Sequence, residues 1–259
     1  LTNNDCPDSI EPILTSLKPG QYCGCQYPQS IVKIDESIEE IPEYAFCGSN
    51  IRKIILHPNI HSIGVGAFGK SSILINISEA TNLKIIDNFS FYLSQLPSTI
   101  EIPPSIEDIK SHAFNKVKGL NHVIFKEKDT PNPNNQIKIG DKCFKECIDL
   151  QSITIPNKVI SIGDICFKGC INLNKIIIPS VIPPILDLET TSFTIPNNII
   201  SINDSCFYGC ESLTTITIPN NVTSIGKNCF NGCKSLTSFT IPNNIISIND
   251  FCFYGCESL

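Results

Sequence analysis

Five pairs of cysteines recur in the pattern Cys-Phe-x-x-Cys, and thiols at this spacing could hold a metal ion, carry redox chemistry or form disulfides. The pairs are Cys143/Cys147, Cys166/Cys170, Cys206/Cys210, Cys229/Cys233 and Cys252/Cys256. A structural zinc site needs four converging ligands, whereas here each pair belongs to its own copy of a repeating unit. None of the four histidines recurs with the cysteines. The pattern therefore predicts neither a metal site nor a catalytic thiol.

Earlier copies of the unit carry other small residues at the same positions, which favours a packing role. The first cysteine is replaced by Ala45, Ala67, Ser90 and Ala113, and the second by Ser71, Ser94 and Val117. Cysteine in such a slot behaves as a small buried hydrophobe. Three interpretations stay open: free buried thiols, disulfides within each turn, whose Cα atoms can be close enough for a bond, and pairs between repeats.

Four cysteines near the amino terminus are spaced irregularly and form a separate group. They are Cys6, Cys23, Cys25 and Cys47. In a chain without a catalytic pattern, such a group predicts two disulfides. Of the three ways to pair them, we favour Cys6–Cys23 with Cys25–Cys47.

The cysteine pattern is part of a unit of 23 residues marked by a phenylalanine. The marker stands at Phe46, Phe68, Phe91, Phe114, Phe144, Phe167, Phe207, Phe230 and Phe253. A fixed period in the twenties with apolar residues in constant phase indicates a solenoid. We expect a solenoid over residues 31–259 with about ten strands, a polar insertion at 126–135 and a shortened repeat at 180–196. Residues 1–30 do not match the unit and are predicted to form an N-terminal cap.

Two apolar series follow each phenylalanine and predict two short strands per unit. The first alternates with period two, as in Ile100/Ile102 and Ile153/Ile155, which is typical of a half-buried strand. In this alignment Ile77 points inward, and Asn76 points outward. The second series has the spacing Ile-x-x-Ile. Stacked units would give a parallel inner β-sheet with strands about 4.8 Å apart, so the fold class is a mainly β or α/β repeat.

The outward positions of the first strand are the predicted binding surface. The C-terminal copies carry a plain Ser/Thr ladder there, which suits any exposed strand. The N-terminal copies vary in charge and shape, and specificity is therefore expected among them. The candidates are Lys53, Ile55, Thr99, Glu101, His122, Ile124, Ser152, Thr154, Lys175 and Ile177.

Asn-x-Ser/Thr triplets give candidate N-glycosylation sites. We expect Asn221, Asn203 and Asn88 to be the acceptors, with Asn221 in a turn as the first choice. Asn76 also begins such a triplet, but a sugar on the first strand would obstruct the predicted binding surface.

Composition excludes several classes of function. The net charge is −6 and there is no basic stripe, so nucleic acid is not an expected partner. No apolar run approaches the roughly 18 residues of a transmembrane helix. Because the chain has no glycine-rich phosphate loop, catalytic triad order or paired carboxylates, we expect neither an enzyme nor a cofactor.

The unit at residues 225–248 resembles the BspA-like leucine-rich repeat. It reads Ile-Gly-Lys-Asn-Cys-Phe-Asn-Gly-Cys-Lys-Ser-Leu-Thr-Ser-Phe-Thr-Ile-Pro-Asn-Asn-Ile-Ile-Ser-Ile, and it differs from the family pattern in having Cys where Ala is usual. The resemblance implies a secreted or cell-surface leucine-rich-repeat module that binds proteins through its concave sheet in adhesion. Its expected partner is an extracellular-matrix or cell-surface protein. The alternative is a self-associating structural solenoid of a wall, coat or filament.

Overall fold

A computed structural model describes residues 12–126, 136–156, 158–177, 199–218 and 220–259. The predicted shortened repeat at 180–196 and all but the first residue of the predicted insertion at 126–135 lie outside these ranges. So does the first part of the predicted cap.

The described residues contain short strands and one 3₁₀ helix, at Ile77–Glu79, but no α-helix. The strands, in chain order, are β1 Ile13–Leu14, β2 Ile31–Ile34, β3 Glu40–Ile41, β4 Lys53–Ile55, β5 Ser62–Ile63, β6 Leu74–Ile75, β7 Ile85–Ile86, β8 Thr99–Ile102, β9 Asp108–Ile109, β10 His122–Phe125, β11 Ile137–Ile139, β12 Ser152–Thr154, β13 Val159–Ile162, β14 Lys175–Ile177, β15 Ser201–Ile202, β16 Thr215–Ile216, β17 Ser224–Ile225 and β18 Ser238–Phe239.

All strand pairs are parallel, and each joins equivalent positions of neighbouring coils. The first strands of the coils form the sheets β1-β2-β4-β6, β8-β10-β12-β14 and β16-β18, which we call the first face. The second strands form β3-β5-β7-β9-β11-β13 and β15-β17. The predicted solenoid of parallel strands, with two short strands per coil, is therefore confirmed.

A column of stacked aromatic rings fills the third side of the coils. From Phe46 to Phe253 the marker phenylalanines stack ring on ring, with centroids 5.0–5.6 Å apart. Backbone bonds run along the same column; the Phe144 amide, for example, donates to the Cys166 carbonyl at 3.0 Å. A single coil cannot bury its own apolar side, whereas stacked coils bury the apolar sides of one another.

The aromatic column continues across the long interval between Phe167 and Phe207 and into the amino-terminal residues. Phe167 and Phe207 are 40 residues apart rather than 23, yet their rings stack at 5.6 Å and the Phe167 amide donates to the Cys206 carbonyl at 2.9 Å. At the amino-terminal end Tyr22 stacks on Phe46 at 5.5 Å. Residues 12–30 thus form a further coil, although their sequence does not match the unit.

Candidate functional site

The first face presents two rows of outward side chains across β8, β10 and β12, and the backbone register extends both rows to β14. One row follows the register Thr99, His122, Ser152 and Lys175, and the other follows Glu101, Ile124, Thr154 and Ile177. The inward residues between them, such as Val123 and Ile153, are buried in the core. The predicted residues from Thr99 to Ile177 therefore lie side by side, as parallel pairing of equivalent positions requires.

Polar side chains in these rows are held by specific contacts. The Lys126 ammonium lies 2.8 Å from the Glu101 carboxylate, and the Ser78 hydroxyl donates to Glu101 at 3.3 Å. His122 Nδ1 and Ser152 Oγ are 2.8 Å apart. Because both partners are half-exposed, each contact adds little to stability, but together they fix where charge and hydrogen-bonding groups stand on the face.

The first face is interrupted between β6 and β8, which share no ladder in this structure. Lys53 pairs with Leu74, and Ile54 pairs with Ile75. The predicted alignment, with Asn76 outward at the level of Lys53, is therefore wrong by two residues. Asn76 instead caps the 3₁₀ helix at Ile77–Glu79, accepting from the Ser78 amide at 3.2 Å.

A groove of about 440 Å³ occupies the interruption. It is lined by Lys53, Leu74, Ile75, Asn76, Pro97, Thr99, Ile100 and Glu101, and we call it the β6/β8 groove. The side chain of Leu74 is 50 % exposed there. The groove combines apolar walls with one lysine and one glutamate, and it lies between the predicted residues on β4 and the rows that begin at β8.

Leu74 and Pro97 line the groove but were not among the residues predicted for this surface. The run Ile73-Leu74-Ile75-Asn76-Ile77 has isoleucine at every second position, so a shift of two residues preserves the alternation. An outward leucine gave no warning, because Ile55 and Ile124 are apolar residues in the same predicted rows.

The paired cysteines of the later coils are free thiols. Of the three interpretations left open, the structure therefore supports free thiols, and neither disulfides within a turn nor pairs between repeats. The second cysteine of each pair donates to the marker phenylalanine of the preceding coil, as in Cys147 Sγ to the Phe114 carbonyl at 2.9 Å and Cys170 Sγ to the Phe144 carbonyl at 3.0 Å. Burial raises the pKa of Cys147 and Cys206 to about 12, so these thiols stay protonated at neutral pH.

The predicted pairing of the amino-terminal cysteines is wrong. Cys23 and Cys47 are free thiols, which removes both Cys6–Cys23 and Cys25–Cys47. Cys25 is buried and is the one cysteine within the described ranges that is not a free thiol, and Cys6 lies outside them. Spacing could not separate the candidate pairs, because Cys25 and Cys23 lie 22 and 24 residues before Cys47, both close to the 23 residues of one coil.

The three expected glycosylation sites lie away from the outward rows. Asn88 follows β7 and Asn203 follows β15, both at the entry to the phenylalanine turn, and Asn221 precedes β17. All three are half-buried, and the Asn221 amide nitrogen donates to the Ile199 carbonyl at 2.8 Å. Their modification stays a prediction.

Within the described ranges, no group of three or more His, Cys, Asp or Glu side chains could hold a metal ion. No helix in the same ranges has the length and apolar character needed to cross a membrane.

Comparison with known families and structures agrees with this geometry. The sequence model of the BspA type leucine rich repeat region matches residues 15–135, 128–188 and 186–259, with six copies. A comparison with curated proteins gave no match.

Among solved structures, a leucine rich cell surface protein from Faecalibacterium prausnitzii A2-165 is 20 % identical over 98 % of this chain and 75 % of that chain, with a TM-score of 0.52. The pneumococcal vaccine antigen PcpA is 19 % identical, also with a TM-score of 0.52. The match to PcpA covers 87 % of this chain and only 54 % of PcpA. At these identities the likeness extends to the fold alone.

Proposed function

Because this chain belongs to the BspA-type leucine-rich repeat family, we propose that it is a non-enzymatic binding module whose first face contacts a protein ligand. The β6/β8 groove carries the proposal. It lies where the ladder opens between β6 and β8, and it combines an exposed apolar residue, Leu74, with the charges of Lys53 and Glu101.

Protein interfaces concentrate their affinity in a few apolar anchors surrounded by polar groups. The β6/β8 groove can receive such an anchor, because Leu74, Ile75 and Pro97 line it. The rows from Thr99 to Thr154 extend from one side of it and offer half-exposed hydroxyl, carboxylate and imidazole groups. A ligand that fills the groove would meet these rows across successive coils, each about 4.8 Å further on.

The proposed setting is the cell surface or the extracellular space, with an extracellular-matrix or cell-surface protein as the partner. A solved structure with this fold is described as that of a cell surface protein, and a second one as that of a vaccine antigen. Asn88, Asn203 and Asn221 lie outside the outward rows, so glycans at these positions would leave the rows free.

The test is binding of the purified chain to a panel of purified matrix proteins, measured by surface plasmon resonance. We expect Leu74→Asp to weaken the affinity for the ligand by about tenfold or more, because it places a charge in the apolar part of the groove. Lys53→Glu, Glu101→Lys and Lys175→Glu should weaken it less and should change its dependence on salt.

Ser238→Glu is the matched control, because it adds a charge to the first face on β18, in a separate sheet. It should leave the affinity unchanged. Thermal melting of each variant by circular dichroism checks that the coil stack is intact. If Leu74→Asp and the three charge changes all bind like the natural chain, the groove and its rows are not the binding surface.

A further inference from the structure

Two half-exposed thiols lie side by side on the first two coils, and we propose that Cys23 and Cys47 are an oxidisable pair that forms a disulfide joining these coils. The pairing differs from both pairs that the sequence favours. It depends on which residues the stack places next to each other.

The backbone register places Cys23 directly against Cys47. The Tyr22 amide donates to the Ala45 carbonyl at 2.8 Å, and the Gly24 amide donates to the Cys47 carbonyl at 2.7 Å. In a parallel ladder these two bonds set Tyr22 opposite Phe46 and Gly24 opposite Gly48. The residue between the two bonds on the first coil is Cys23, and its partner is Cys47.

Side-chain contacts on both sides of the pair agree with this register. The rings of Tyr22 and Phe46 stack at 5.5 Å, and a Cβ built on Gly48 would lie 4.0 Å from the Gly24 Cα atom. Burial and, after it, the neighbouring Cys23 thiol raise the pKa of Cys47. Neighbouring strands are about 4.8 Å apart, which falls within the Cα separation of roughly 4.4–6.8 Å that a disulfide accepts.

Exposure distinguishes this pair from the cysteines of the later coils. Those also stack from coil to coil, since Cys170 lies between Cys147 and Cys210 in its column. From Cys143 to Cys252 they are buried, and Cys147 and Cys170 donate to backbone carbonyls of the coil before them. Cys256 is half-exposed, but its neighbour in the column, Cys233, is buried. Cys23 and Cys47 are half-exposed, so a dissolved oxidant can reach them without opening the stack.

The oxidant is a low-molecular-weight disulfide. One thiolate of the pair attacks a sulfur of that disulfide and releases one small thiol, giving a mixed disulfide on the protein. The second thiolate then attacks the protein sulfur of the mixed disulfide and releases the second small thiol. The net change is two protein thiols oxidised to one disulfide and one small disulfide reduced to two thiols, with no other reactant.

The experiment treats the folded chain with oxidised glutathione, blocks the remaining thiols with iodoacetamide and digests with trypsin without reduction. Trypsin cleaves after Lys33 and Arg52, which places Cys23 and Cys47 in different peptides. We expect mass spectrometry to find these two peptides linked, with no disulfide at the buried cysteines from Cys143 to Cys252. Oxidation should also raise the thermal midpoint by about 5 °C, because the bond closes a loop between coils.

Three variants decide the result. Cys23→Ser and Cys47→Ser should each abolish the link and the rise in thermal midpoint, whereas Cys170→Ser should change neither. Dithiothreitol should reverse both effects in the natural chain. Two outcomes would overturn the proposal: a link that persists in Cys23→Ser, since Cys47 would then be bonded to another cysteine, or quantitative iodoacetamide labelling of Cys23 and Cys47 after oxidation.

Discussion

The amino-terminal coils, from Phe46 to Phe114, and the later coils, from Phe144 to Phe253, share one scaffold but fill its small slots differently. The aromatic rings stack at 5.0–5.5 Å in the first group and 5.4–5.6 Å in the second. The slots beside them hold Ala, Ser and, at position 117, Val in the first group, and Cys in the second. What the scaffold requires at these positions is therefore small volume rather than one chemical group.

The two groups satisfy the polar hydrogens of these slots in different ways. The Ser94 hydroxyl donates to the Phe91 carbonyl of its own turn at 2.6 Å. In the equivalent position the Cys147 thiol donates to the Phe114 carbonyl of the preceding coil at 2.9 Å. A thiol is a weaker donor than a hydroxyl, so losing the Cys147 bond should cost less stability than losing the Ser94 bond. The thiol proton, however, makes the later coils sensitive to alkali.

The largest expected difference between the two groups is their response to high pH. Thiols of the unfolded chain lose their protons near pH 9, whereas burial raises the pKa of Cys147 and Cys206 to about 12. Between these values the folded state holds more protons, so its stability falls as the pH rises, by about 1.4 kcal/mol per thiol and pH unit. Urea unfolding at pH 8, 9 and 10 should show this fall.

The double variant Cys147→Ser with Cys206→Ser tests its origin. Its stability should fall by about 2 kcal/mol less than that of the natural chain between pH 9 and 10, because the thiols of the unfolded chain are already half ionised at pH 9. Ser94→Ala is the control, since it removes no thiol and should keep the natural slope. Equal slopes in all three proteins would show that thiol ionisation does not govern the later coils.

Removing a ring from the column should have the same effect in both groups. Phe68→Ala and Phe144→Ala each remove a completely buried ring from the stack, and each should lower the free energy of unfolding by about 3–5 kcal/mol. Urea denaturation followed by circular dichroism measures both. A loss several-fold larger at Phe144 than at Phe68 would mean that the cysteines change the packing of the column, against the comparison above.

The smallest effect should come from exchanging the slot residues. Cys147→Ser should lower the free energy of unfolding at pH 7 by about 1 kcal/mol or less, because the hydroxyl can bond within its own turn as Ser94 does. Ser94→Cys should be similarly tolerated. Cys147→Leu is the contrasting variant, and overpacking should cost about 1–3 kcal/mol. If serine proves as harmful as leucine in the same denaturation assay, size is not the property that the slot selects.

The repeat architecture could be predicted because its signals recur. Three signals appear many times: the marker phenylalanine at Phe46 and its equivalents, the alternating strand positions, and the small residues beside the phenylalanine. Repetition distinguishes such signals from chance matches. Features that occur once were harder. The register at Leu74 was predicted wrongly because alternating isoleucines fit two alignments. The cap of the 3₁₀ helix by Asn76 has no counterpart in the other coils that the structure describes. The β6/β8 groove follows from these two local events and could not be found from the repeat.

The stacking of Phe167 on Phe207 has a consequence for how such a chain can change over generations. The two rings behave as immediate neighbours although the sequence between them is 17 residues longer than one unit (40 − 23 = 17). A length of polypeptide can thus be added between two coils while the units before and after it keep their contacts. Evolution can therefore add, change or remove surface at such a point without changing how the other coils pack.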